Sequence, residues 1–197
     1  LGALAESKMG KGLLYAGTDK GACWVSKNDG NNWEEISWGL SNSYIRSICP
    51  SRFVKERVYL AMTGINHDDL RHYLYVSEDY GKNWNSIVDG LPDEPVNVIL
   101  EDPSNENILY AGGLRGVYIS TNRGKDWSYL GNQMPAASIA DLEIHEPTMD
   151  LIAATHGRGI YKINLLPIQQ MVKDNLSLDK DWLFKIPVAK RPWFNSF

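Results

Sequence analysis

The densest group of reactive side chains is Asn66-His67-Asp68-Asp69-Leu70-Arg71-His72, which carries two carboxylates, two imidazoles and a guanidinium. Carboxylates and imidazoles are metal ligands, and carboxylates also drive glycoside hydrolysis. A hydrolytic reading makes Asp68 or Asp69 one member of an acid/base pair. It requires a second carboxyl group roughly 5 to 10 Å away across a cleft, and adjacent aspartates need not face one substrate. The third reading is an exposed loop without chemistry. No metal-ligand set is complete, so no metal or cofactor is assigned.

A second pattern is a cation directly before a glycine, in Lys20-Gly21, Arg115-Gly116 and Arg158-Gly159, the last with His156 two residues upstream of Arg158. Gathered on one face, these cations would attract the carboxylates or sulfates of a ligand. Otherwise they are solvated turns, and His156 and Arg158 bond nearby carbonyls to lock their turn. His145-Glu146 lacks the second histidine of a zinc-protease motif, and neither a Gly-x-Ser-x-Gly elbow nor a phosphate-binding glycine loop occurs. A net charge of -4 gives no reason to expect nucleic-acid binding. No apolar run approaches the ~20 residues needed to cross a membrane. Cys23 and Cys49 are too few for a disulfide framework and sit in no Cys-x-x-Cys pair, so they read as free, buried thiols.

What positions these groups is a repeated turn. Ser77-Glu78-Asp79-Tyr80-Gly81-Lys82-Asn83-Trp84 shares the frame Ser-x-Asp/Asn-x-Gly-x-x-Trp with two other stretches, one carrying Ser26, Asn28, Gly30 and Trp33, the other Ser120, Asn122, Gly124 and Trp127. The tryptophans are 51 and 43 residues apart (84 − 33 and 127 − 84), in the ~40 to 50 range of four-stranded propeller blades. The wider spacing comes from an insertion at Gly64 to His72, read as a turn between second and third strands. Short strands at even spacing with Gly-rich turns predict an all-β fold, a β-propeller. Three complete four-stranded blades are expected, plus a fourth without box or outer strand, over residues 1–165. The 197 residues, 43% of them hydrophobic, allow one sizeable core or two small ones.

Residues 166–197 read as a tail. Pro167 to Lys173 allows one or two helical turns with Ile168, Met171 and Val172 on one face. Asp181-Trp182-Leu183-Phe184 and Pro192-Trp193-Phe194 are aromatic but aperiodic, suited to packing across the propeller or leading into a further domain.

In each box the Ser hydroxyl and the Asp or Asn side chain are expected to bond turn amides, Gly to supply positive φ and Trp to pack on the blade. Neutral Asn28 and Asn122 argue for a scaffold and against a charge-dependent role such as metal binding. The frame resembles the BNR, or Asp-box, repeat over about residues 1–165, and in sialidases that share the repeat the boxes are remote from catalysis. Leu14 to Asp19, Asp68 to Tyr75, Gly90-Leu91-Pro92 and Thr155 to Tyr161 look most like large bacterial BNR-repeat proteins with sortilin-type (VPS10-like) propellers, often labelled glycosyl hydrolases by analogy. Xyloglucan-cleaving propellers and photosystem assembly factors are similar less closely. The resemblance implies more blades than this chain supplies, and Leu1 opens in mid-pattern without an initiator Met. A piece of a larger secreted, periplasmic or envelope protein is therefore expected.

Because blade strands alternate in direction, the turns between second and third strands leave the face opposite the boxes, with the links between blades. That directs the search for a glycan, peptide or protein ligand to His67, Asp68, Asp69, Arg71, Arg115, His156 and Arg158.

Overall fold

The computed structural model describes residues 1–131 and 134–176, so the aromatic tail segments at 181–184 and 192–194 lie outside the described residues. Four antiparallel sheets follow one another along the chain. The first holds β1 (Ala3–Glu6), β2 (Leu14–Gly17), β3 (Cys23–Ser26) and β4 (Glu34–Glu35). The second holds β5 (Tyr44–Pro50), β6 (Val58–Gly64), β7 (Asp69–Ser77) and β8 (Asn85–Ser86). The third holds β9 (Val96–Glu101), β10 (Leu109–Gly113), β11 (Val117–Ser120) and β12 (Ser128–Leu130), and the fourth β13 (Ile139–His145), β14 (Asp150–Thr155) and β15 (Ile160–Asn164). Within each sheet, spatial order equals chain order. This is the expected propeller plan, and among the described residues the fourth sheet has three strands. The helix α1 (Leu166–Lys173) then stands where a box would begin, with Pro167 in its first turn.

The strands form because their alternate residues have two apolar neighbours to satisfy. In β6 every residue is buried, Val58, Leu60 and Met62 against the first sheet and Tyr59 and Ala61 against the third. The core is accordingly three layers, one between each pair of successive sheets, not the one or two expected from length. The first joins Tyr15, Val25 and Ile36 to Val58, Leu60 and Met62, the second joins Tyr59 and Leu74 to Leu109, Tyr118 and Trp127, and the third joins Ile108 and Tyr110 to Ile139, Leu142 and Leu151. Burying each such side chain contributes about 1.5–3 kcal/mol. Cys23 and Cys49 are free, and burial pushes both thiols up to about 12.

The boxes connect the third to the outer strands, of which β4 and β8 are only two residues long. Ser77 Oγ donates to Asp79 Oδ1 at 2.8 Å and accepts from Gly81 N at 2.7 Å, while Asn83 N donates to Asp79 Oδ1 at 2.9 Å. Asn28 and Asn122 do the same through Oδ1, receiving Asn32 N at 2.9 Å and Asp126 N at 3.0 Å. Gly81 has φ +88°, where an L side chain is strained. Two of the three tryptophans differ from expectation in one respect: Trp84 and Trp127 bond the preceding sheet, not their own. Trp84 Nε1 donates to Ile36 O and Trp127 Nε1 to Ile87 O, each at 2.8 Å.

Candidate functional site

The turn expected over Gly64 to His72 is shorter than read from sequence. β6 runs to Gly64, a 3-10 turn covers Ile65–His67, and β7 begins at Asp69. Alternation along β7 sends Asp69, Arg71 and Tyr73 to one side, and their mutual bonds hold the strand beyond the body of the sheet. Arg71 grips Asp69 with two bonds, Nε to Oδ1 at 2.9 Å and Nη2 to Oδ2 at 2.8 Å. Tyr73 donates its hydroxyl to Asp69 Oδ2 at 2.6 Å. The Arg71 guanidinium first, then the Tyr73 hydroxyl, holds the Asp69 carboxyl well below the usual carboxylate range. A carboxylate so held stays ionised at neutral pH and is a poor proton donor.

His67, Asp68, Asp69, Arg71 and Tyr73 line one side of an open polar basin, and Ser41, Asn42 and Ser43 from the link between the first two sheets line the other. Its volume is about 590 Å³. Asp68 is exposed, sits at φ +55° and closes the 3-10 turn through its own N–H to Ile65 O at 3.2 Å. His72 points to the other side of β7, where Nδ1 lies 3.1 Å from Pro92 O and 3.6 Å from the Asp93 carboxylate.

That contact leads to a residue the motif reading passed over. Glu94, 5% exposed, accepts Tyr118 Oη at 2.8 Å and Arg115 N at 3.1 Å through Oε1. Arg115 Nε stands 3.3 Å from Oε2 without a hydrogen bond to it. The Arg115 side chain is itself 76% exposed, so it is anchored at its base and open at its tip. The signal that could have found Glu94 is its place between Pro92 and Pro95, a rigid link that fixes a side chain against the neighbouring turn. His156 and Arg158, both exposed, lie on the turn between β14 and β15, and the described walls of the basin include neither. The His156 backbone N–H bonds Ser138 O at 2.8 Å, seating that turn on the link before β13. The structure thus joins Asp69 to Arg71 directly and sets His67 and Asp68 beside them, while Arg115, His156 and Arg158 are not among the residues lining the basin. Among the described residues, no group of three or more His, Cys, Asp or Glu is placed to hold a metal ion.

Residues 74–87 match the family described as BNR-Asp box repeat. The chain carries the BNR-Asp box repeat. Over 100 residues it is 27% identical to the vacuolar protein sorting/targeting protein 10 of Laccaria bicolor, a match covering 49% of this chain and 7% of that protein. The GH74 xyloglucanase from Xanthomonas campestris has the same fold at 16% identity and a TM-score of 0.63, over 86% of this chain and 29% of the other. YCF48 bound to D1 peptide aligns at 15% identity and a TM-score of 0.58, over 77% of this chain and 47% of the other. The chain therefore spans less than half the length of each of these proteins. No described helix is long and apolar enough to cross a membrane.

Proposed function

We propose that this chain is part of a larger secreted, periplasmic or envelope BNR-repeat protein, in which its four sheets serve a non-catalytic binding or assembly role. The contact face is the one opposite the boxes. The observation that carries this reading is the Asp69-Arg71-Tyr73 lock: the most reactive-looking carboxylate is already committed to two neighbours, so the basin offers fixed donors and acceptors and no proton in transit. The exposed cations Lys20, Arg115 and Arg158, on the turns between second and third strands of the other sheets, favour a glycan or peptide carrying carboxylate or sulfate groups. Membership of a repeat found in proteins related to sorting receptors supports a site outside the cytoplasm.

The test is binding to immobilised acidic glycans and peptides by the native chain and by a triple variant, Asp68→Asn with Arg115→Ala and Arg158→Ala. A tenfold or greater loss is expected, and unchanged binding by the triple variant refutes the contact face.

One observation favours a second reading. Asp68 is exposed on the basin wall, and the fold is shared with a xyloglucanase. As a glycoside hydrolase, with its cleft completed by blades beyond this chain, the protein would use Asp68 or Asp69 as acid/base. Sugar release from xyloglucan or β-glucan by the longer protein, abolished by Asp68→Asn or Asp69→Asn, would establish it.

A further inference from the structure

The three exposed cations that precede a glycine are held in different ways. The turns of Lys20 and Arg158 are closed by their own threonines: Thr18 Oγ1 accepts the Ala22 N–H at 3.0 Å, and Thr155 Oγ1 donates to Gly159 O at 2.6 Å. The turn of Arg115 is gripped from outside. Its N–H donates to Glu94 Oε1 at 3.1 Å, its carbonyl accepts the Tyr129 hydroxyl at 3.3 Å, and the Ala137 N–H reaches the same carbonyl at 3.4 Å. Two glycines make room for these neighbours. A Cβ at Gly113 would lie 2.7 Å from Glu94 Oε1, and one at Gly116 would lie 2.5 Å from the Tyr129 ring.

Glu94 is itself fixed. Its N–H bonds Pro92 O at 2.8 Å, and the Tyr118 hydroxyl donates to its Oε1 at 2.8 Å. The other carboxylate oxygen stands 3.3 Å from Arg115 Nε, and because Glu94 is buried, salt screens this pair less than a surface one. The guanidinium is thus pinned on its Nε side while most of the side chain stays open. Beside it, the Tyr129 ring, 45% exposed, stands edge-to-face with Tyr118, centroids 5.6 Å apart and planes at 76°.

An arginine held in this way acts by direction more than by charge. Glu94 balances its charge, so the pair pulls weakly on a diffuse polyanion, yet a planar carboxylate can still meet the fork with two parallel bonds. A uronate offers that carboxylate on a sugar ring whose C–H face suits an exposed aromatic ring. We propose that Arg115, flanked by Tyr129, is the uronate-binding residue of the contact face, and that Glu94 is its positioning residue. The site then selects glycans carrying carboxylates over glycans carrying only sulfates. This rests on the binding role proposed above.

Titration calorimetry of the whole chain with trigalacturonate, with a sulfated trisaccharide and with a triglutamate peptide, at low and high salt, tests it. Trigalacturonate should bind tightest, and its lead should persist at high salt. Arg115→Lys keeps the charge on an exposed side chain and removes the fork. It should weaken trigalacturonate about tenfold, the worth of one charge-assisted hydrogen bond, and leave the sulfated ligand little changed. Glu94→Gln should weaken trigalacturonate and strengthen the sulfated ligand, and nitrogen-15 relaxation at Arg115 Nε should show the side chain loosened. Tyr129→Ala should weaken trigalacturonate alone. Tighter binding of both anions by Glu94→Gln would make Glu94 a mere charge damper and overturn its positioning role. Native binding of trigalacturonate that survives Arg115→Lys unchanged overturns the inference and leaves the contact face standing, whereas a native chain that binds none of the three probes sinks both. Preference for triglutamate overturns the uronate assignment in favour of a peptide.

Discussion

Asn28, Asp79 and Asn122 stand at one position of the box and receive the same bonds through Oδ1, so the charge of Asp79 is incidental to the turn. Asn28→Asp should therefore leave the denaturation midpoint within the range of about 0.5 kcal/mol typical of neutral surface changes. Ser77→Ala is different, because the buried Oγ serves Asp79 and the Gly81 amide together. Loss of about 1–3 kcal/mol is expected in urea denaturation, the cost of leaving a buried N–H unpaired. At Asp69 the relevant variable is pH. Its folded-state pKa is depressed by Arg71 and then Tyr73, so the stability it contributes is present above the ordinary aspartate pKa of about 3.9 and is lost as pH falls below it. A carboxyl carbon shift for Asp69 that stays constant down through pH 4 is the expected result, and Arg71→Ala should move its titration upward. The candidate residues were legible as types, but their division of labour was not. Asp69, Arg71 and Tyr73 share a side only once β7 is known to begin at Asp69, and Glu94 acquires importance only from a turn 21 residues away.

For the strands and boxes, sequence periodicity was sufficient because each blade repeats one local solution. Boundaries were less legible: Trp33 and Trp84 precede their outer strands, and the second hairpin continues past the sheet body. The direction of the tryptophans was also hidden, since an indole that bonds a carbonyl 48 residues earlier leaves no local trace. Trp84→Phe keeps the ring and deletes that bond, and should cost about 1 kcal/mol in thermal or urea unfolding. Gly81→Ala should cost more, about 1–2 kcal/mol from positive φ alone, with a further penalty because the new methyl meets Ile36. A Gly81→Ala chain as stable as the native one would contradict this account of the interlock.

Across the whole molecule, turns after the first strands of three sheets converge on Glu146. Lys8 Nζ approaches its Oε1 to 3.2 Å and Arg52 Nη2 bonds the same oxygen, joining the first, second and fourth sheets by charge. Arg52, then Lys8, holds the Glu146 carboxyl down at about 2. A depressed carboxylate adds stability above its unfolded pKa of about 4.3 and loses it as pH falls toward 2. Glu146→Gln should therefore flatten the acid limb of the melting temperature between about pH 4.3 and 2, with little change near neutrality in high salt. Such convergence of distant turns is a product of curvature, which no sequence period encodes. The backward-pointing tryptophans have a consequence in time as well as in space. During synthesis, the second and third sheets each emerge carrying the peg for a socket already made, so neither has to wait for a sheet still inside the ribosome, and these blades can be secured in the order they are made.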